Sequence, residues 1–145
     1  MVNDTPQALN AFIQLYQSLG VDELERILEV YDDAVVFQDP LHRVDGSAAL
    51  LAYFENLYTN LSYCHFDIKS TLHSDTAAMV SWQMRFVHPK LNAGQEVAVD
   101  GVSELAFSGD KVISHRDYFD VGQMLYEHIW GVGAVIRAIK KRASA

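Results

Sequence analysis

Four long β-type runs, at about residues 61–72, 77–88, 97–108 and 111–119, follow one another with only short turns between them. The turn signals are Ser74-Asp75, Asn92-Ala93-Gly94 and Ser108-Gly109-Asp110. Connections this short join antiparallel neighbours, so the second half of the chain predicts a β-meander. The first half has a different period. Thr5-Pro6 reads as an N-cap followed by proline at the first helical position, and Leu9, Phe12, Ile13 and Tyr16 recur at helical spacing. Asp22 and Glu25 form a capping-box pattern ahead of a second helix with Leu24, Ile27, Leu28 and Tyr31 on its apolar stripe. A short strand from Ala34 to Gln38 should stop at Asp39, because Pro40 cannot continue a paired strand. Ser47 is placed to cap a third helix whose Leu50, Leu51, Phe54, Leu57 and Tyr58 form a broad apolar face. Helices grouped ahead of a meander predict an α+β domain with the helices covering one face of a curved antiparallel sheet.

At 145 residues, half of them apolar, the chain is long enough for one domain with a real core, and no repeat or linker divides it. Residues 121–145 read as a helical C-terminal extension of that single domain. Its Gly131 and Gly133 weaken a continuous helix, and a break is expected near Trp130. All 19 acidic residues precede Arg137, with seven basic ones among them. Residues 1–136 therefore carry −12, and Arg137, Lys140, Lys141 and Arg142 add +4. Such a body repels nucleic acid. The basic end either complements its own helix dipole or touches an anionic membrane surface, the former being the simpler reading. The lone Cys64 excludes an internal disulfide framework, and with no basic, apolar leader at the N-terminus the expected location is cytoplasmic. Six histidines fall at positions 42, 65, 73, 88, 115 and 128, without metal-ligand spacing, and no glycine-rich phosphate loop is present, so no metal or cofactor is implied.

Two segments place carboxylates among large apolar residues: Phe37-Gln38-Asp39-Pro40 and His115-Arg116-Asp117-Tyr118-Phe119-Asp120. Burial raises a carboxylate's pKa toward the range useful for moving protons, which makes both segments candidates for acid–base chemistry. The segment from Tyr31 through Pro40, followed by Gly46 and the helix to Tyr58, resembles a known signature. So does Gly109-Asp110-Lys111-Val112-Ile113 leading into Arg116-Asp117-Tyr118-Phe119. Both are similar to the nuclear transport factor two-like superfamily, in its SnoaL-like and ketosteroid-isomerase-like branch.

The resemblance implies a cone enclosing an apolar cavity and a homodimer formed through the outer sheet face. It places Asp39 where ketosteroid isomerases carry their general base, beside Phe54. It places Tyr16 where they carry an oxyanion donor, and Ser103 where they carry a second, acidic donor that a serine does not replace. It also places Asp117 at the acid–base residue of SnoaL-type cyclases and at one aspartate of limonene epoxide hydrolase, whose arginine matches Arg85 but whose second aspartate is Val87 here.

Each candidate has a structural alternative. Asp39 before proline can simply anchor a turn, Tyr16 is also the fourth member of a core stripe, and His115 can be a buried structural histidine. Strand alternation turns His115, Asp117 and Phe119 inward together and Arg116 and Tyr118 outward. In the second long strand the favoured parity points Gln83 and Arg85 into the cavity as substrate-binding groups and turns Trp82, Met84 and Phe86 toward a partner subunit. These features predict a cofactor-independent enzyme performing isomerisation, cyclisation or epoxide hydration on a small, largely apolar molecule. The alternative is a dimeric module that binds a small molecule or lipid without changing it.

Overall fold

The computed structural model describes residues 5–20, 22–129 and 131–144. Helix α1 (Gln7–Ser18) comes first, then a 3₁₀ helix (Leu24–Glu29), strands β1 (Tyr31–Gln38) and β2 (Arg43–Asp45), and helix α2 (Ser47–Tyr58). The long strands follow as β3 (Tyr63–His73), β4 (Ala77–Val87), β5 (Val97–Ser108) and β6 (Lys111–Phe119). The chain ends in a single turn α3 (Val121–Met124), a 3₁₀ turn (Tyr126–His128) and α4 (Val132–Ala143). The six strands form one sheet in the order β2-β1-β6-β5-β4-β3. The α+β class and the meander match the sequence reading. The sheet is nevertheless mixed, because β1 pairs with β6 in parallel and β2 adds a short antiparallel edge.

The second helix departs from expectation. It is a 3₁₀ segment without a side-chain cap, so the Asp22–Glu25 capping box does not form. Tyr31, expected on the helix's apolar stripe, is instead the first residue of β1, opposite Val112. A register shift between Tyr31 and Val36 lets Asp32, Asp33 and Ala34 face away while Tyr31, Val35 and Phe37 all point inward, each at most 2% exposed. Helix α1 likewise starts one residue later than expected. Pro6 is its N-cap, and the Pro6 carbonyl accepts from Leu9 N and Asn10 N. At α2 the cap position is Gly46, at φ +93°, and the Ser47 hydroxyl bonds Asp33 instead.

The core lies between α1, α2 and the concave face of the sheet, where Leu9, Phe12, Ile27, Leu50, Val80, Val99 and Leu105 are buried. Each such side chain contributes about 1.5–3 kcal/mol. On β4 it is Trp82 and Phe86 that turn to this face, at 4% and 5% exposure, with Met84 between them partly buried. The favoured parity of this strand is therefore reversed. Burying Val80, Trp82 and Phe86 in the cone outweighs saving them for a partner, and β5 leaves room for them: Gly101 pairs with Trp82, and a Cβ there would lie 2.2 Å from the indole.

After β6 the chain closes over the cone's mouth with α3, capped by Asp120, whose carboxylate accepts from Gly122 N and Gln123 N. The expected break falls at Trp130, outside the described residues. Gly131 sits beside it at φ +83°, and α4 begins at Val132. Lys140 ties α4 back to Asp120 (2.5 Å) and Glu127 (3.1 Å), which lowers the Asp120 carboxyl's pKa and raises the lysine's. No helix among the described residues is long and apolar enough to cross a membrane.

Candidate active site

Strand β6 sets the floor of the cavity. Register places Asp117 directly across from Ser103 on β5 and His115 beside Phe37 on β1, and alternation turns both β6 side chains inward while Tyr118 is 43% exposed. Asp117 Oδ1 lies 2.6 Å from His115 Nε2 and accepts from the Ser103 hydroxyl at 2.5 Å. The Ser103 oxygen accepts in turn from Trp82 Nε1 at 2.9 Å. On the other side, His115 Nδ1 is 2.7 Å from the Tyr31 hydroxyl, and Tyr31 is 2.6 Å from the Tyr16 hydroxyl.

One assignment satisfies the whole chain with a neutral imidazole: Tyr16 donates to Tyr31, Tyr31 to His115 Nδ1, and His115 Nε2–H to Asp117. Every donor then points toward Asp117 Oδ1. Among the described residues Asp117 Oδ2 has no hydrogen-bond partner, and it belongs to a side chain 17% exposed on the cavity wall. The result is a cavity-lining carboxylate fixed through one oxygen, with the other left without a protein partner among the described residues.

The phenols along this chain stay protonated. Burial pushes the pKa values of Tyr16 and Tyr31 well above the ordinary tyrosine value of 10.0, and Tyr58 shifts in the same direction for the same reason. Burial also raises the Cys64 thiol to about 11, so this cysteine is a thiol rather than a nucleophilic thiolate near neutral pH. Its sulfur contacts the Tyr58 hydroxyl at 3.8 Å.

Asp39 occupies the cavity's mouth in a different state. Its Oδ1 accepts from Leu41 N at 2.8 Å and His42 N at 2.7 Å, the turn-anchoring role open to an aspartate before proline. Its Oδ2 accepts from the Tyr53 hydroxyl at 2.5 Å. Burial is the largest cause of the raised Tyr53 pKa, and the hydrogen bond to Asp39 adds to it. His42 Nδ1 stands 3.1 Å from the same hydroxyl and 3.6 Å from Asp39 Oδ1. Both carboxylates line one chamber of about 120 Å³, together with Phe54 and Phe119. A smaller, inner chamber of about 40 Å³ shares Phe54, Phe66, Trp82 and Asp117 with it and is lined further by Tyr16, Ser103 and His115.

Of the residues singled out from sequence, Tyr16, Asp39, Phe54, Ser103, His115, Asp117 and Phe119 line these two chambers. Gln83 and Arg85 do not. Both lie on the outer sheet face, where Arg85 bonds Asp67 at 2.7 Å and Gln83 reaches Asp100 at 3.4 Å. The expectation that they bind substrate fails because β4 spends its other face on the core. Sequence reasoning missed Tyr31, Tyr53 and Trp82 as polar members of the site. For Tyr31 the helical spacing after Leu24 masked a strand start. For Trp82 the signal was present: Gly101 stands in β5 among alternating apolar residues, marking a close approach.

A family model described as a SnoaL-like domain matches residues 12–115. The sequence matches none of the curated proteins. Among solved structures, the chain is similar to a candidate SnoaL-like polyketide cyclase from Jannaschia sp. CCS1, with TM-score 0.75 and 14% identity, over 90% of this chain and 99% of that one. It is similar to AclR, a candidate hydroxylase from Streptomyces galilaeus, with TM-score 0.69 and 17% identity over 84% and 95% of the two chains. It is also similar to a protein of ketosteroid isomerase-like fold from Catenulispora acidiphila DSM 44928, solved in complex with trimethylamine. That match has TM-score 0.72 and 12% identity over 84% and 92%. At these identities the structures speak for the fold, and the family model covers most of the sequence that forms it. The chain belongs to the SnoaL-like domain family.

Proposed function

We propose that the protein is a cofactor-independent enzyme in which Asp117 transfers a proton to or from a small, largely apolar molecule. The observation that carries this reading is the asymmetry of the Asp117 carboxylate: Oδ1 is held by His115 and Ser103, Oδ2 has no hydrogen-bond partner among the described residues, and the side chain lines the chamber. A base whose rotamer is fixed by two hydrogen bonds pays little to orient itself, and an apolar chamber keeps competing water away. The proton taken by Oδ2 leaves a negative charge on the substrate. Returning that proton at another carbon completes an isomerisation. In a cyclisation the carbanion instead bonds to a carbonyl carbon of the same molecule, the C=O π bond opens, and the proton goes to the alkoxide oxygen. In an epoxide hydration Oδ2 takes the proton from water as its oxygen bonds a ring carbon, the C–O bond to that carbon breaks, and the proton returns to the alkoxide. His115 and Ser103 are positioning residues, and Tyr31 fixes the histidine tautomer. Asp39, with both oxygens committed, holds the mouth turn and Tyr53 rather than moving the proton.

The test needs no knowledge of the natural substrate. Cyclohexanone in deuterated buffer exchanges its α-hydrogens when a base removes them, and proton NMR reads the rate. The wild-type chain is expected to accelerate exchange beyond an equal concentration of acetate. Asp117→Asn is expected to lower that rate by about 10²–10⁴-fold. Exchange no faster than in acetate, with the ligand bound unaltered, would instead favour a binding module.

We further propose that two copies associate through the outer sheet face, where Leu72, Met79 and Tyr118 are exposed at 75%, 40% and 43%. Sedimentation should give a dimer for the wild type and a monomer for Met79→Asp. An unchanged sedimentation coefficient in the variant would refute this arrangement.

A further inference from the structure

The walls of the cavity restrict what it can hold more tightly than the cone's outline does. Large aromatic side chains fill the space between helices and sheet. Tyr16 meets Phe66 edge-on at 5.2 Å, Phe66 meets Trp82 edge-on at 5.5 Å, and Phe54 stacks on Tyr58 at 6.0 Å. What is left is the outer chamber of about 120 Å³ and its inner extension of about 40 Å³. An apolar cavity of roughly 150 Å³ accommodates benzene, and a space of a few tens of Å³ holds one water or a methyl group. The outer chamber is thus the size of a single six-membered ring with at most a small substituent extending inward.

Charge narrows the class further. Among the described residues the two chambers are lined by two carboxylates, Asp39 and Asp117, each with an imidazole beside it (His42 and His115), and by no lysine or arginine. An anion entering would lose hydration and meet two carboxylates with no lysine or arginine to offset them, the imidazoles being already engaged by those carboxylates. A cation gains less than the two carboxylates suggest, because both Asp39 oxygens and Asp117 Oδ1 are already taken. Of the four carboxylate oxygens, Asp117 Oδ2 is the one without a hydrogen-bond partner among the described residues, suited to one O–H or one acidified C–H.

We propose that the cavity selects an uncharged molecule of one six-membered ring that presents a hydroxyl or an enolisable carbonyl to Asp117 Oδ2. The ring-size limit comes from the aromatic walls alone. The polar contact rests on the role of Asp117 given above.

The experiment is a titration of the full ¹⁵N-labelled chain, followed at the Trp82 indole N–H, which bonds Ser103 next to Asp117. Trp82→Phe assigns that signal among the two tryptophans. Phenol should shift it saturably. Binding of 2-naphthol and of benzoate should be at least about ten-fold weaker, the first from forcing a second ring into packed walls and the second from charge repulsion. Trimethylammonium should also bind more weakly than phenol. In Phe66→Ala, the 2-naphthol penalty should shrink several-fold while benzoate stays excluded. If that variant does not fold, the wild-type ratios decide alone.

Equal affinity of the wild type for phenol and 2-naphthol would overturn the ring-size limit. Benzoate or trimethylammonium binding as tightly as phenol would overturn the charge argument. Phenol selectivity that persists while cyclohexanone exchange is absent would sink the catalytic reading and leave this inference standing.

Discussion

His115 lies 2.6 Å from Asp117 through Nε2 and 2.7 Å from Tyr31 through Nδ1, and it packs edge-on against Phe12 and Phe37 at 5.3 and 4.8 Å. A buried imidazole needs both nitrogens satisfied, and here Asp117 meets one while the Tyr31 phenol, itself bonded to Tyr16, meets the other. These phenols carry a pH dependence whose sign follows from burial. Because burial raises the Tyr16 and Tyr31 pKa values above 10.0, the folded chain keeps their protons at a pH where the unfolded chain releases them. The stability they contribute is complete below pH 10 and is lost as pH rises above it, at about 1.4 kcal/mol per unit for each phenol held neutral. Urea unfolding between pH 8 and 11.5 should show this decline, and Tyr31→Phe should flatten it. An identical slope in the variant would contradict the assignment. At this scale the sequence exposed the inward placement of His115 and Asp117, since strand alternation is local. It could not show that their side chains close on each other, since residues two apart on a strand need not touch, nor that Tyr31 completes the set, because that contact depends on the parallel pairing of β1 with β6, strands far apart in the chain.

Strand β4 decides which side chains the cone encloses. Its two faces are Trp82, Met84 and Phe86 on one side and Ser81, Gln83 and Arg85 on the other, and period-two patterning is satisfied by either orientation. The structure resolves the choice through an adjacent element: Gly101 on β5 lets the Trp82 ring lie across the backbone, and the Trp82 N–H then reaches Ser103. Gly101→Val should force the indole aside, cost about 1–3 kcal/mol in urea unfolding and shift the Trp82 N–H resonance. A fully stable variant with that resonance unmoved would mean the indole does not depend on this gap. The bounds of β5 and β6 were legible from sequence because turn residues flank both. The 3₁₀ segment before β1 was not, since Leu24, Ile27 and Tyr31 fit a helical stripe and only tertiary pairing draws Tyr31 into the sheet.

For the whole molecule, the cone, its mouth and its tail are held by different forces. Apolar burial between α1, α2 and the sheet closes the cone, while α3 lays Met124 against the outer chamber. Helix α4 is attached largely by polar contacts: Lys140 to Asp120 and Glu127, and Arg137 to the Glu127 carbonyl at 2.7 Å. Val135 and Ile139 remain 58% exposed. The fold class was legible because helices and strands are segregated along the chain. Which of the two half-buried carboxylates keeps an oxygen without a protein partner was not, because Asp39 and Asp117 are both acids among apolar residues and differ only in their hydrogen bonds.

That difference is where the account is most exposed. Cyclohexanone exchange measured side by side for Asp117→Asn and Asp39→Asn, each shown to be folded by its urea midpoint, separates the two. The expected result is a loss of about 10²-fold or more for Asp117→Asn and a change of less than about ten-fold for Asp39→Asn. The reverse order, or equal rates for Asp117→Asn and the wild type, would contradict the assignment of Asp117 as the group that moves the proton.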